Sequence, residues 1–405
     1  MKFTYKHTLY ASYIGYITQA IVNNLTPLLF VTFQREFAIS IEKIAVLISL
    51  NFGVQLLVDL LSIKFIDKMG YRVAAVLAHV LGGLGLISLG ILPYWFSNPF
   101  WGIAIAVVIN AIGGGLDEVL ISPLVEALPS EESASAMSIL HSFYCWGQVG
   151  VVLLSTLYFQ FADGLSWRFL PIFWSIIPWV NALFFAKVPL CRLVAEDERH
   201  TSLSSLFRSR IFWILLLLMV CAGASELSMS QWSSYFAELG LGVSKTVGDL
   251  LGPCAFAVLM GTARTLYGKY APKLNVKYAL LGSAVLCVGA YLLTVFSPQP
   301  LLALAGCAVC GFAVGVMWPG TISLSAEVFP KGGTAMFAVL ALAGDAGCGG
   351  GPFLAGKIAE LAEKVRGLPA MFYSSPLKFG LFVVMLFPLL MVPAVLKLGK
   401  KKREG

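Results

Sequence analysis

Long apolar segments recur along the whole chain, and they constrain its fold more than any other feature. Each has at least the roughly 20 residues that an α-helix needs to cross a bilayer. Twelve can be delimited, at 8–35, 41–67, 72–94, 98–127, 132–162, 167–187, 208–238, 243–270, 274–297, 299–328, 332–362 and 374–398. Lipid offers the backbone no hydrogen-bond partners, so segments of this kind are expected to be helices. The sequence therefore predicts an all-α membrane protein with twelve transmembrane helices.

The composition leads to the same class of protein. Of the 405 residues, 58% are apolar and 12% are charged, whereas ordinary globular chains carry about 25% charged residues. The first segment has a polar middle and no small-residue cleavage site, which favours a retained helix over a signal peptide. The eight cysteines lack the spacing of a disulfide framework or a metal site. No catalytic or nucleotide-binding motif is visible, so we expect neither an enzyme nor a bound cofactor or metal.

A stretch of the fourth segment returns in degraded form in the tenth. Residues 113–137 read GGGLDEVLISPLVEALPSEESASAM, and residues 311–336 read GFAVGVMWPGTISLSAEVFPKGGTAM. Both copies contain a Glu-x-x-Pro element, followed by a small residue and Ala-Met. The repeat predicts two related six-helix bundles, 1–190 and 208–405, which a polar loop at 191–207 joins. Such internal repeats are typical of secondary transporters.

Positive charge predicts the orientation of the chain in the membrane. With both termini in the cytoplasm, 20 of the 28 lysines and arginines fall at cytoplasmic helix ends or loops, and 8 fall at the opposite ends. The basic tail serves this topology and can also contact anionic lipid, so the net charge of +7 requires no nucleic acid. We expect a multi-pass protein of the cell inner membrane that acts as a monomer.

Only a few acids lie inside the predicted helices, namely Asp59, Asp117, Glu118, Glu226 and Asp345. An ionisable residue at the bilayer centre costs roughly 2.5–3.5 kcal/mol on insertion scales and usually marks a transport pathway or a proton relay. Asp59 lies nearer the cytoplasmic end, five residues before Lys64, where an ion pair and a functional role are both open. Asp117 and Glu118 point about 100° apart around a helix. We expect Glu118 to face a cavity and Asp117 to pair sideways with a hydroxyl or an amide.

Other polar and aromatic side chains of middle depth fall on predicted helices 1, 4, 5, 7, 10 and 11. The candidate substrate-binding residues are Gln19, Asn23, Asn24, Asp117, His141, Glu226, Gln231, Trp232, Trp318 and Asp345. Carboxylates and amides suit the hydroxyls of a sugar, and tryptophan offers a flat surface to its C–H face. For each amide the alternative is a helix–helix hydrogen bond, worth about 0.6 kcal/mol on average in membranes. For His141 the alternatives are satisfied packing, a carboxylate partner or a direct proton relay.

The second predicted cytoplasmic loop resembles a signature of the major facilitator superfamily. Residues 67–72 read DKMGYR, similar to the pattern D-[RK]-x-G-x-[RK], with Ile63 in place of the leading glycine. The resemblance implies the major facilitator fold, in which two six-helix bundles enclose a central cavity. It also implies a conformational loop that breaks and remakes ion pairs as the bundles rock. The candidates for this role are Asp59, Asp67, Lys68, Gly70 and Arg72.

Within that superfamily the chain resembles the fucose permease group of sugar/proton symporters. The fourth helix of that group carries G-x-E-x-x-x-N-P, and here Glu118 precedes Pro123 by five residues, with Ser122 replacing the asparagine. The aspartate that the group places in its first helix is here an amide, Asn24. The resemblance implies proton coupling through Glu118, with Glu226 as the candidate in the second half.

The sequence thus predicts proton-coupled import of a sugar or related small polar solute by alternating access. An acid held away from water keeps its proton more readily, as coupling requires. Three alternatives stay open. The chain could be a proton-antiport exporter of amphipathic compounds, or a sodium-coupled sugar importer in which carboxylate and amide oxygens hold Na⁺. It could also be a non-transporting membrane sensor on the same fold.

Overall fold

The computed structural model describes residues 3–126, 128, 130–161, 166–190, 203–270, 273–330, 333–365 and 368–398, and every regular element within them is a helix. Most of the predicted loop 191–207 and the basic tail after residue 398 lie outside these residues. The helices before that loop are α1 Tyr5–Leu28, α2 Phe30–Phe37, α3 Ile41–Met69, α4 Tyr71–Ile91, α5 Pro99–Glu126, α6 Ser130–Phe161, α7 Phe169–Trp174 and α8 Ile176–Phe185. Those after it are α9 Leu203–Arg208, α10 Arg210–Tyr235, α11 Lys245–Asp249, α12 Ala255–Tyr270, α13 Val276–Phe296, α14 Pro300–Val328, α15 Gly333–Lys364, α16 Ala370–Ser374, α17 Pro376–Val384 and α18 Leu386–Lys397.

Among the described residues, ten helices are long and apolar enough to cross a membrane, or eleven when the bent pair α1 and α2 counts as one span. The predicted sixth segment corresponds to the shorter apolar stretch Phe169–Phe185. It is divided at Ser175, three residues before Pro178, because proline lacks the N–H that would bond back along the helix. The structure therefore supports a multi-pass membrane protein, and the full count of twelve helices stays a prediction.

Glycines allow neighbouring helices to approach closely. A Cβ added at Gly113 of α5 would lie 2.6 Å from the backbone nitrogen of Gly82 and 2.7 Å from the carbonyl oxygen of Ala78, both in α4. Gly347 and Gly351 of α15 lie against α10 in the same manner, where a Cβ at Gly351 would lie 2.7 Å from Cα of Ala224. Glycines at these positions thus allow close helix packing.

The first half, residues 1–190, meets the second half mainly along α3 with α15 and along α6 with α12. We call the side of the molecule that holds Tyr5 and Lys397 the terminal side, and the opposite side the far side. On the far side, polar contacts join the halves. Arg35 pairs with Glu238 at 2.7 Å, and the Lys245 ammonium donates to the Leu28 carbonyl at 2.8 Å. The described conformation is therefore closed on the far side.

Candidate functional site

A cavity of about 510 Å³ lies between the two halves at middle depth. Tyr267 and Gly268, in the last turn of α12, form part of its wall, so the cavity extends toward the terminal side. Seven of the predicted site residues line it, namely Gln19, Asn23, Asp117, Glu118, Glu226, Trp318 and Asp345. The structure thus brings together residues of five helices that the sequence separates by up to about three hundred positions.

A chain of amide side chains leads across the first half to Glu118. The Gln19 amide donates to Glu118 Oε2 at 3.0 Å and to Gln55 Oε1 at 3.3 Å. The Gln55 amide in turn donates to Asn23 Oδ1 at 2.8 Å, and the Asn51 amide donates to the same oxygen at 3.2 Å. Gln19, Asn23 and Gln55 are buried, whereas the Glu118 side chain is exposed to the cavity. This series of amide hydrogen bonds holds the Glu118 carboxyl group in position at the cavity wall.

Asp117 takes the sideways direction that its position on the helix predicts, but its neighbour is a histidine. Its Oδ1 lies 3.2 Å from Nδ1 of His79 in α4, and both side chains are buried. The same ring nitrogen lies 2.9 Å from the Ala75 carbonyl, and the Asn181 amide lies 2.7 Å from Nε2. His79 therefore joins α4 to α5 and α8, and the expected hydroxyl or amide partner of Asp117 is not what the structure shows.

Glu226 of α10 faces an arginine that the sequence analysis missed. Arg264 Nη2 donates to the two carboxylate oxygens of Glu226 at 3.3 and 3.2 Å. Its Nη1 lies 3.7 Å from Sγ of Cys145 in the first half, and its buried Nε has no hydrogen-bond partner. Counting positive charges assigned Arg264 to a cytoplasmic helix end, whereas the structure places it in the cavity wall. One sequence signal could have indicated this placement: Arg264 lies inside the predicted eighth helix, five residues before Lys269.

Asp59 lies away from the loop with which the sequence analysis grouped it. Its carboxyl group faces that of Asp345 in α15, within hydrogen-bond reach. The side chain of Lys64, the other partner considered for Asp59, lies outside the described part of the chain. Asp59 thus belongs with the acids near the cavity, on the boundary between the halves.

Three predicted substrate-binding residues lie behind the cavity wall. The Asn24 amide donates to the Ala20 carbonyl at 2.9 Å and to the Tyr144 hydroxyl at 3.4 Å. The Gln231 amide donates to the Asn23 carbonyl at 3.1 Å. Trp232 is fully buried, and its Nε1 donates to the Pro352 carbonyl at 2.9 Å. The side chain of His141, a fourth predicted residue, lies outside the described part.

The Asn23 carbonyl is available to Gln231 for a local reason. An α-helical carbonyl normally accepts from the N–H four residues later, and that residue here is Pro27, which has none. The freed acceptor on α1 is filled by a donor from the second half. This contact lies between the cavity and the far side, so it helps to close the far side in the described conformation.

The predicted conformational loop is a tight connection between α3 and α4. Gly70 has a φ of +85°, a value that side chains rarely allow, which explains glycine at this turn. Arg72 donates to the Phe185 and Ala186 carbonyls at 2.9 and 2.8 Å, so it caps the end of α8. Lys68 is exposed, and the Asp67 side chain lies outside the described part.

The site holds acids, amides, aromatics and one arginine, a set that binds polar solutes and protons. Within the described residues, no group of three or more His, Cys, Asp or Glu side chains is placed to hold a metal ion. The cavity offers planar hydrogen-bonding groups along α1, α3 and α5, and the half-buried ring of Trp318 in α14. Such a wall can bind hydroxyl groups and a flat apolar face at the same time.

A family model described as Major Facilitator Superfamily matches residues 12–352. No curated protein matches the sequence significantly. A bacterial homolog of the human lysosomal transporter Spinster, in an inward-facing and unoccupied conformation, is a similar solved structure, with a TM-score of 0.75, 14% identity and 96% of each chain covered.

The nucleoside transporter NupG is similar with a TM-score of 0.70 and 15% identity, covering 96% of this chain and 98% of its own. A D-xylose–proton symporter is similar with a TM-score of 0.73 and 16% identity, covering 96% of this chain and 97% of its own. At these identities the similarity shows a shared fold and nothing more specific. The resemblance to the fucose permease group is finer than these comparisons reach, and it stays a prediction.

Proposed function

Because the chain belongs to the major facilitator superfamily, a family of membrane transporters, we propose that it imports a sugar or related small polar solute together with protons. Transport proceeds by alternating access, as residues 1–190 rock against residues 208–405 around the central cavity. The observation that carries the proposal is the position of Glu118. It is an acid at middle depth whose side chain is exposed to the cavity and accepts a hydrogen bond from Gln19 at 3.0 Å.

Glu118 suits proton coupling better than Glu226 does. Within the described residues, no lysine or arginine forms an ion pair with Glu118, whereas Arg264 lies 3.2 Å from Glu226. An arginine beside a carboxylate favours its charged form, which makes release and rebinding of a proton at Glu226 harder. An acid that faces water on one side and a neutral amide on the other can exist in either state. Glu118 is therefore the proposed coupling residue, and Glu226 is proposed to bind substrate with Arg264.

The proposed substrate class follows from the cavity wall. Gln19, Asn23 and Gln55 place amide groups on one side, and the indole of Trp318 lies in the wall of the second half. Sugars offer several hydroxyls that both donate and accept, and a face of C–H groups that packs on an aromatic ring. An exporter of amphipathic compounds would need fewer polar groups in contact with its substrate.

The coupling role is tested with Glu118→Gln, a neutral variant that imitates a permanently protonated acid. We expect purified protein in liposomes to retain solute exchange between the two sides, but to lose accumulation against a gradient and the pH dependence of uptake. The matched control is Asp117→Asn on the same helix, which replaces an acid that lies against His79. If Glu118→Gln accumulates solute with normal pH dependence, Glu118 is not the coupling acid.

The substrate class is tested by measuring thermal stability against a panel of sugars, polyols and amphipathic compounds, at several pH values with and without sodium. A ligand that binds the folded protein raises its unfolding temperature. We expect a sugar or polyol to do so, and Trp318→Ala to weaken that binding roughly tenfold, in line with a loss of about 1.4 kcal/mol. Stabilisation by amphipathic compounds alone would favour the exporter, and a strict need for sodium would favour sodium coupling.

A further inference from the structure

Two acids face each other across the boundary between the halves. Helix α3 packs along α15, and the contact can be followed from one end. Glu42 pairs with Lys357 near the far side, and a Cβ at Gly349 would lie 3.3 Å from that of Phe52. Asp59 lies seven residues beyond Phe52 on the same face of α3, since seven residues make nearly two turns. There it meets Asp345 of α15, within hydrogen-bond reach.

A hydrogen bond between two carboxyl groups requires a proton. A carboxylate only accepts hydrogen bonds, whereas a protonated carboxyl group also donates one. Two ionised carboxylates side by side would repel each other. If one of them is protonated, a charge-assisted hydrogen bond replaces the repulsion. Asp59 is largely enclosed, and its Oδ1 is buried without a hydrogen-bond partner. The contact between Asp59 and Asp345 therefore implies one bound proton.

Among the side chains that the structure describes, no positive charge pairs with either acid in place of this proton. Glu118 of α5 interacts electrostatically with both acids, and it is itself an acid and not a counter-charge. Cys348, three residues beyond Asp345, is a further titratable neighbour on α15, and it also interacts electrostatically with Glu226 and Arg264. Arg264 is engaged with Glu226. Within the described side chains, no basic group forms an ion pair with Asp59 or Asp345.

We propose that Asp59 and Asp345 form a proton-binding site that joins the two halves, with one proton shared between the two carboxyl groups. This site is separate from Glu118, and it is independent of which solute the cavity binds. The proton enters as a bond to one carboxylate oxygen, and an oxygen of the other acid accepts it in a hydrogen bond. Protonation ties α3 to α15 at this level, and loss of the proton leaves two carboxylates that repel across the boundary.

Infrared spectroscopy of the purified full-length protein in lipid tests this site, because a protonated carboxyl group has its own carbonyl-stretch band. Asp59→Asn and Asp345→Asn each replace one acid with an amide that donates to the remaining carboxylate. We expect each single variant to lose the band intensity of one acid near neutral pH, and the double variant to lose no more. Asp249→Asn is the matched control, because Asp249 already has a basic partner, the Lys245 ammonium at 3.0 Å.

The alternatives give different patterns. Two acids that hold separate protons would make the loss in the double variant the sum of the two single losses, and this would overturn the shared proton. Two ionised acids would leave the band unchanged in both single variants, with the same consequence. If the asparagine variants fail to fold, Asp59→Ser and Asp345→Ser keep a small donor at each position and serve the same comparison. The Glu118→Gln variant should retain the band intensity that disappears in the Asp59 and Asp345 variants. This result separates the test of the shared proton from the test of the coupling acid.

Discussion

At the scale of single residues, Arg264 gives the cavity wall a positive charge that pairs with Glu226. Its side chain contacts Glu226 of α10 and Cys145 of α6, so it belongs to the second half and also touches the first. The guanidinium keeps Nε without a hydrogen-bond partner. Arg264 is therefore a counter-charge for Glu226 that also links α12 to α6 of the first half.

Replacing Arg264 by glutamine leaves Glu226 in a poorly solvated position without its partner. Breaking a buried ion pair costs about 3–5 kcal/mol, and we expect the lower end because part of the arginine faces the cavity. The double variant Arg264→Gln, Glu226→Gln removes both charges and should recover most of the stability. Thermal unfolding of the two single variants and the double variant measures this. Additive losses would show that the two side chains do not interact.

Trp232 shows where a sequence-based prediction of a single residue reaches its limit. A tryptophan beside Glu226 and Gln231 suits the wall of a sugar site, and the sequence analysis therefore placed Trp232 there. The structure turns its ring toward Phe30, with a ring–centroid distance of 5.9 Å, and toward the Pro352 carbonyl. Which face of a helix meets the cavity depends on how its neighbours pack, and residue type alone does not determine it.

At the scale of helices, the sequence predicted most of what the structure shows. The predicted segment 98–127 corresponds to α5 at Pro99–Glu126, and 274–297 corresponds to α13 at Val276–Phe296. These bounds follow from apolar length and from turn residues, both of which are local properties. The contact between Asp59 and Asp345 could not be predicted, because the two residues are 286 positions apart in the chain. Their contact depends on how α3 and α15 are rotated about their own axes.

Helix packing at Gly113 gives a prediction that pairs two glycines. Gly113→Ala places a methyl group against the α4 backbone, and overpacking of this kind typically costs 1–3 kcal/mol, so we expect a loss of about 2 kcal/mol. Gly150 of α6 has no atom within 4 Å of an added Cβ, so Gly150→Ala should be neutral or stabilising. Unfolding temperatures in the same lipid or detergent compare the two. Equal effects would contradict the close-packing role of Gly113.

At the scale of the whole molecule, the halves are joined on the far side while the cavity extends to the terminal side. Asp249 of α11 illustrates the closure, because the Thr156 hydroxyl of α6 donates to it at 3.3 Å and the Lys245 ammonium lies 3.0 Å away. With cytoplasmic termini, as the charge pattern predicts, this conformation faces inward. The direction of access therefore depends on the topology.

The topology is tested by cysteine labelling at position 202, in the predicted cytoplasmic loop. In a variant whose native cysteines are replaced, Ser202→Cys should react with a membrane-impermeant reagent only after the membrane is disrupted. A cysteine at Trp95, which is 76% exposed at the far-side end of α4, should react in intact cells and serves as the control. The reverse pattern would invert the orientation, and the described conformation would then face outward.

The hydrogen bond between Gln231 and the Asn23 carbonyl has a consequence for how such a protein tolerates change over generations. The acceptor belongs to the backbone, so every amino acid at position 23 supplies it, and drift there leaves this bond intact. The position that matters is 27, where any residue other than proline would return an N–H and reclaim the carbonyl for its own helix. Pro27 contributes to this closure by lacking an N–H, so we expect selection to retain proline at this position.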